Sequence, residues 1–589
     1  MSKTRAGIKP TQPKKPQKPE DAPEVLDKSP PPRRSTPPSP RKVPLVVPEG
    51  QWNLRLPKIE LGPEEPEFTA EEGLTQGFSI RRLVHAMQGD MKRGMIQHYL
   101  AFFSETVVAK GINAPLAGFP AIFYAVATND DKIVRTWVNN GGDVNAVDET
   151  YKVPLFAFAI MMADTLGKHT TAVTTTLLSL GADVSVIPRV FFLPYMDDPP
   201  NKAPFNHRYT EFNEPTKEWC LDYMRPVLAR TINLTQRYFL ARTLTERRPS
   251  ERQTQVAITN GALALLGIGY FMVGQSSAAK MVIQKSLSTM ALPKAQPLVM
   301  VFSGPSGHGK TELAKRMGEL LSLELECVDC TELRYETDLF GPKKPYIGHE
   351  LGSPLNNFLT RLSGRRCIVF LDEFEKTTPD VQNSLLVPFD EGKYTDRRNR
   401  QAVDCSKTIW IMATNALDDT ILDFCDLHQA KVHQTDDSHR HAELMNDLSG
   451  RLKKQLKSTF GNPLSSRVSL VVPFLPFSAG EQAVVAHKYV LDLQDQVRQK
   501  IQVSGHQLVG RIILDVRQDG AICKLIAQEG YDASQGARSL KAAVETRIED
   551  ELVHRYLEED GRIEDWQPLV NYTVDLSRNG VLSVFKTAD

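Results

Sequence analysis

Leu298-Val299-Met300-Val301-Phe302-Ser303 runs into Gly304-Pro305-Ser306-Gly307-His308-Gly309-Lys310-Thr311-Glu312, and this stretch decides the fold. Five apolar residues in a row, Leu298 to Phe302, read as a strand buried on both faces. Gly304 to Thr311 spell G-x-x-x-x-G-K-T, and a helical run follows from Glu312 to Leu321. The glycines let backbone N–H groups close around a phosphate, and the helix start adds a favourable dipole. In that arrangement Lys310 reaches the β- and γ-phosphates of ATP and Thr311 holds Mg²⁺. A chance glycine-rich turn is the plainer alternative, but it does not account for the strand before and the helix after.

Two more apolar strands follow. Cys367 to Leu371 ends in Asp372-Glu373, and Thr408 to Met412 ends in Ala413-Thr414-Asn415. An acidic pair at the end of a buried strand suits Mg²⁺ through Asp372 and activation of water through Glu373. Asn415 is a polar group able to orient that water. Three buried strands ending in polar residues predict a doubly wound α/β sheet with its ligand at the carboxyl edges.

Working outward, the chain has 589 residues, 41% hydrophobic and 24% charged, enough for roughly three to five domains of ~100–200 residues. Lys plus Arg and Asp plus Glu are both 71, a balance that argues against a globally basic nucleic-acid binder. Seven cysteines in this length do not make a disulfide scaffold. Cys327 and Cys330 have no second pair at zinc spacing and read as structural. His428, His433, His439 and His441 beside Asp436 and Asp437 read as a solvated loop rather than a metal site. Residues 1–50 hold 13 prolines, 11 Lys/Arg and five Asp/Glu with no apolar core, which predicts a disordered basic tail rather than a secretory signal. Gln253 to Ala279 is uncharged. A buried or partner-facing helix is the first reading, and a membrane tether the second.

Between tail and strand, three segments rhyme: Gly111-Ile112-Asn113, Gly141-Gly142-Asp143-Val144-Asn145 and Gly181-Ala182-Asp183-Val184-Ser185. Their spacings are 32 and 40 residues, and apolar helix-like stretches, Pro120 to Val138 and Val153 to Leu180, precede the last two. The pattern resembles divergent ankyrin repeats over residues 80–187, which stack helix pairs and present a protein-binding face. Glu218 to Leu244 reads as helical.

From about residue 271 the chain resembles the Clp class of AAA+ ATPases, especially the second ATPase module of ClpA and ClpB. Phe340-Gly341-Pro342 with Tyr346-Ile347-Gly348 is similar to that family's pore loop. Leu371-Asp372-Glu373-Phe374-Glu375-Lys376 and Asp390-Glu391-Gly392-Lys393-Tyr394-Thr395-Asp396 are similar to its acidic strand end and the turn after it. Asn415 falls at the first sensor, Arg467 at the arginine finger, and Gly536-Ala537-Arg538 at the second sensor. Val273-Gly274-Gln275 falls beside the adenine. His308 stands where the family has a small apolar residue, Pro345 where it has glycine, and Asn462 to Arg467 departs from its finger motif.

The resemblance implies an α/β AAA+ large domain over residues 271–474 and a small α+β lid domain over 475–589. Ahead of them come the tail (1–60), the all-α ankyrin region (80–187) and a helical linker (188–270). Ankyrin repeats before a single Clp-type module resemble the mitochondrial ClpB homologues of animals. The implied activity is an ATP- and Mg²⁺-dependent disaggregase. Its ring, expected to be a hexamer, threads aggregated clients past Tyr346 and Ile347, with Glu373, Asn415 and Arg467 at the reacting phosphate. Residues 416–459 hold no Ile-Gly-Phe-like tripeptide, so no ClpP-type peptidase partner is expected. The alternative is an ankyrin-based scaffold, with a partner on the ankyrin surface, in which the ATPase is a nucleotide-gated switch. The compartment expected is the cytoplasm, with the mitochondrion as the alternative.

Overall fold

In the computed structural model, residues 52–62, 77–199, 210–294, 296–343, 346, 350–432 and 438–587 are described. The chain divides into two units, 1–53 and 54–589, and of the first only Trp52 and Asn53 are described. Of the tail expected over 1–60, residues 1–51 lie outside the described residues. Its last stretch is ordered, against the expectation: Leu54 and Ile59 are buried, the Ile59 N–H donates to Gln88 Oε1 at 2.8 Å, and the Ile59 carbonyl lies 2.6 Å from His85 Nδ1. Everything below concerns the second unit.

Residues 80–179 fold into helices, including the pairs Ile122–Ala127 with Asp131–Asn139 and α1 (Leu155–Leu166) with α2 (Thr171–Ser179). The rhyming segments lie side by side for a concrete reason. Asn113 Oδ1 accepts from the Asp143 backbone N–H at 2.9 Å, and Asn145 Oδ1 accepts from the Asp183 N–H at 2.8 Å. Asn113 Nδ2 also donates to the Gly141 carbonyl at 2.7 Å. One side chain per segment satisfies the backbone of the next.

Glu218 to Leu244 is not one helix. Arg225–Thr231 ends at Ile232, and α3 (Leu234–Thr243) restarts on a capping box between Asn233 and Gln236. The uncharged stretch is also broken. Glu251–Thr259 starts on a Ser250–Gln253 capping box and stops at Asn260, followed by Gly261 at φ +63°. A 3₁₀ segment then covers Leu263–Phe271, bent by 111° from the first helix, and Ser276–Ala291 follows. Among the described residues no single helix is long and apolar enough to cross a membrane; only the bent pair passes that test jointly. Leu265 and Ile268 pack into the core under the sheet. Two guanidinium groups pack on the Phe271 ring, Arg135 at 5.4 Å and Arg316 at 5.2 Å from its centre.

Five parallel strands form the sheet: β1 (Leu298–Ser303), β2 (Leu325–Asp329), β3 (Cys367–Asp372), β4 (Thr408–Thr414) and β5 (Leu470–Pro473), in the order β2-β3-β4-β1-β5. Side chains alternate between two cores. Val299, Val301, Val369, Leu371, Trp410 and Met412 face one, and Met300, Phe302, Ile368, Phe370 and Ile411 face the other. The chain leaves β1 towards β2 and leaves β4 towards β5, in opposite directions. A crevice therefore opens between the carboxyl ends of β1 and β4. Helix α4 (Lys310–Leu321) starts there.

The C-terminal lobe pairs β6 (Ile512–Val516) in parallel with β7 (Val570–Leu576), which pairs antiparallel with β8 (Leu582–Lys586). Its helices include α5 (Ala479–Val497), α6 (Asp519–Gly530) and α7 (Ala537–Val544). The N-terminal helices are bolted to this lobe. Arg237 Nη2 donates to Asp519 Oδ1 at 2.6 Å, the Leu234 N–H donates to Asp519 Oδ2 at 2.6 Å, and Thr235 Oγ1 lies 2.8 Å from His487 Nδ1. Arg498 donates to the Leu166 carbonyl at 3.0 Å and to that of Gly167, satisfying the end of α1.

Burial pushes the His487 imidazole down to about 4, against the opposing pull of Asp519. The unfolded chain takes that proton near pH 6.5, so stability present above about 6.5 is lost as pH falls towards 4. The expected loss is about 2 kcal/mol by pH 5. Thermal melts between pH 7 and 5 should show it, and His487→Asn should flatten the slope. Asp519→Ala, which leaves the buried Arg237 with Asp198 at 3.8 Å as its nearest carboxylate, should cost ~3 kcal/mol in denaturant titration.

Candidate active site

A cavity of about 510 Å³ lies at the crevice, where the sheet meets the C-terminal lobe. The loop supplies Ser306, Gly307, His308, Gly309, Lys310, Thr311 and Glu312 to its wall. Strand ends supply Asp372, Glu373 and Asn415, Val273 comes from the segment before Ser276–Ala291, and Arg538 from α7. Of the sequence-derived candidates, these share one cavity. Gly304 and Pro305 stand just behind, giving their carbonyls to Lys310. Gln275 fixes the entry of its segment by a two-way bond to Leu475, at 2.9 and 3.2 Å.

Lys310 Nζ donates to the Gly304 carbonyl, to that of Pro305 at 3.2 Å, and to Asn415 Oδ1 at 2.7 Å, so the ends of β1 and β4 are joined across the crevice. Burial draws its pKa down, while Asp418, Glu375 and Asp372 oppose the shift. Asn415 Nδ2 donates to Glu375 Oε1 at 3.0 Å, and the other Glu375 oxygen is buried without a hydrogen-bond partner. Burial raises Asp418 to about 7, and its Oδ1 is likewise without a partner. Nothing in the sequence alone marks Glu375 or Asp418 as a site residue. Glu375 was visible only as part of an acidic run, and nothing local marks Asp418, because its importance comes from burial beside Lys310.

Thr311 Oγ1 lies 3.4 Å from Asp372 Oδ2. A hydroxyl and a carboxylate oxygen this close, beside a phosphate-binding loop, fit Mg²⁺, which takes hard oxygen ligands from one or two side chains plus phosphate. Glu373 follows β3 in a left-handed conformation, φ 51° and ψ 45°. For a residue with a Cβ this costs ~1–2 kcal/mol, strain of the kind that collects at functional positions.

The loop is held by the C-terminal lobe. The Gly307 carbonyl accepts from the Ala537 N–H at 3.0 Å, and a Cβ on Gly307 would lie 2.0 Å from the Gln535 carbonyl oxygen. His308 is fully buried. Its Nδ1 lies 2.9 Å from the Ser306 carbonyl, its Nε2 lies 3.2 Å from the Tyr531 hydroxyl, and its ring stacks on Phe477 at 4.9 Å. The carbonyl requires a proton on Nδ1, which leaves Nε2 to accept from Tyr531. Burial lowers the ring's pKa and favours this neutral form. The residue that departs from the family pattern is thus a bridge between the lobes.

Arg467 lies elsewhere. Its guanidinium donates to Asp390 Oδ2 at 2.8 Å, the Pro463 carbonyl at 2.7 Å and the Leu386 carbonyl at 3.1 Å, outside the cavity of its own chain. Tyr346 is 68% exposed, while Pro345, Ile347 and Gly348 lie outside the described residues. Cys327 is exposed and Cys330 buried, both as free thiols. His428 packs on Phe424 at 4.5 Å and His441 Nε2 lies 2.7 Å from Ser277 Oγ. His433, Asp436 and Asp437 lie outside the described residues, as does the His439 side chain. Among the described residues no His/Cys/Asp/Glu group is arranged to hold a metal ion.

Residues 296–462 match the AAA domain (Cdc48 subfamily), and residues 511–567 match the C-terminal, D2-small domain, of ClpB protein. The chain thus carries a Clp/ClpB-type AAA+ ATPase module. Its relatives include the chaperone protein ClpB of Chlamydia caviae, 30% identical over 42% of this chain and 27% of the relative. The mitochondrial disaggregase of Rattus norvegicus is 30% identical over 44% of this chain and 39% of the relative, and that of Homo sapiens 29% identical over 44% and 38%. The chain therefore covers well under half the length of these relatives. A closed-state Hsp104 reconstruction with ATPγS and FITC casein is 18% identical, with a TM-score of 0.42, over 77% of this chain and 72% of that one.

Gly536 sits at φ +57°, and a Cβ there would meet the Gly307 carbonyl oxygen and the His308 ring, each at 2.8 Å. Gly536→Ala should therefore part the loop from α7. A lower melting temperature and weaker ADP binding, read by calorimetry, are expected from this one change.

Proposed function

We propose that this chain is an ATP-driven protein unfoldase that works as a ring and extracts polypeptides from aggregates. The observation that carries the reading is the meeting of Lys310, Thr311, Asp372, Glu373 and Asn415 with Arg538 of the other lobe in one cavity, within a ClpB-type module. The relatives named disaggregase and chaperone supply the substrate class.

In this reading the loop N–H groups and Lys310 bind the phosphates, and Thr311 and Asp372 hold Mg²⁺. When bound, the ion neutralises charge between the β- and γ-phosphates. Glu373 takes a proton from the attacking water, Asn415 orients that water, and Arg538 carries the state of the γ-phosphate to the C-terminal lobe. Arg467 leaves Asp390 to serve the cavity of a neighbouring copy, which makes the active unit an oligomer, a hexamer by family analogy. Tyr346 meets the client in the channel. Residues 80–187 act as ankyrin-type repeats that select clients or a partner. The repeated Asn-to-backbone bonds at Asp143 and Asp183 support that reading. The mitochondrion is the compartment suggested by the named disaggregases.

The test is ATP-dependent recovery of a heat-aggregated enzyme by the purified chain. Glu373→Gln should bind ATP but lose turnover by at least a hundredfold, Lys310→Ala should lose nucleotide binding, and Tyr346→Ala should keep turnover but lose recovery. Wild-type turnover in Glu373→Gln would refute the site. Turnover without recovery would favour the nucleotide-gated scaffold, a reading that the in-chain engagement of Arg467 by Asp390 also supports.

A further inference from the structure

Helix α5 presents Val485, Lys488, Tyr489 and Asp492 to the cavity, the i, i+3, i+4, i+7 stripe of one helix face, about 10 Å long. The stripe begins apolar at Val485. It ends with two opposite charges one turn apart, on Lys488 and Asp492. Neither makes an ion pair or hydrogen bond among the described residues. Across from Lys488 stand Glu312 and Arg316 on α4, already paired with each other at 3.0 Å. Burial draws the Lys488 ammonium down, against the opposing pull of Glu312 and Asp492, and partial burial raises the Asp492 carboxyl, against that of Lys488, His169 and Lys541, so charge nearby offsets part of the desolvation cost while the hydrogen-bonding capacity of both groups stays open.

The cavity has distinct ends. Lys310, Thr311, Asp372 and Arg538 form the phosphate end, and Met272, Val273 and Val485 the apolar end suited to a base. Lys488, which feels the charge of Glu312 one residue beyond Thr311, stands on the α5 wall that begins at Val485, and Asp492 follows one helical turn on. A phosphate would not accept a carboxylate neighbour, and the face of a base would not sit against two charges. A vicinal diol satisfies both, donating to the carboxylate and accepting from the ammonium.

Resting on the nucleotide reading of this cavity, we propose that Asp492 and Lys488 read the ribose 2′- and 3′-hydroxyls and make the site specific for ribonucleotides over 2′-deoxyribonucleotides. A site built to hydrogen-bond a hydroxyl rejects the analogue that lacks it, because its own polar groups are then left unpaired.

The test is calorimetric binding of ADP and 2′-deoxyADP to the full chain. The wild type should bind ADP about tenfold more tightly than 2′-deoxyADP. Asp492→Asn and Lys488→Met should each bring that ratio close to one while leaving the affinity for 2′-deoxyADP within about twofold of wild type. Asp492 lies at the partly exposed rim of the cavity, so its substitution leaves the fold in place. Equal wild-type affinity for the two nucleotides would overturn the proposal and leave the nucleotide site intact. Equal weakening of both nucleotides by Lys488→Met would also overturn it, by showing that the ammonium serves the phosphates or the packing. Failure of either nucleotide to bind the wild type would sink the ribose assignment together with the nucleotide reading.

Discussion

The buried Asp519 carboxylate fixes where three parts of the chain meet. It sits at the start of α6, takes the guanidinium of Arg237 and the first N–H of α3, and faces the neutral His487 of α5. Placing a carboxylate in a low-dielectric interior is costly unless its lone pairs are filled, so the contact admits little variation in geometry. Helix α3 is therefore tied to the lobe that carries Arg538. The N-terminal helices and the nucleotide cavity belong to one packed assembly rather than to an arm and an engine.

The cavity sits on the seam between the sheet and the C-terminal lobe, and its polar chemistry is shared across that seam. The main-chain bond from Ala537 to Gly307 and the His308–Tyr531 contact hold the loop from the side opposite the sheet. Lobe position and loop conformation are then a single variable. Arg538, two residues after Gly536, moves with the segment that touches Gly307.

Much of this could be read in the sequence because it depends on local order. An apolar run, a glycine loop and a helix determine the first strand and its phosphate site, and Asp372, Glu373 and Asn415 lie at strand ends where the apolar runs stop. The rhyme of Asn113, Asn145 and Ser185 was visible too, but not that each Asn spends its amide on the next segment. What escaped depends on burial and on distant partners. Asp418 and Glu375 matter because Lys310 and Asn415 lie beside them, and Lys488 because α5 turns it towards the cavity. The uncharged stretch 253–279 reads from composition as one helix; its Leu265 and Ile268 are buried as that reading expects, but the helix is not continuous. Asn260 and a left-handed Gly261 break it, a local backbone preference that hydropathy does not register.

That break has a mechanical consequence. By turning the chain back on itself it delivers Phe271 to the wall of the cavity, with its ring against both Arg135 of the N-terminal helices and Arg316 of α4. Lever and lock share a component. A displacement of helix Asp131–Asn139 would therefore bear on the cavity wall through a single aromatic ring.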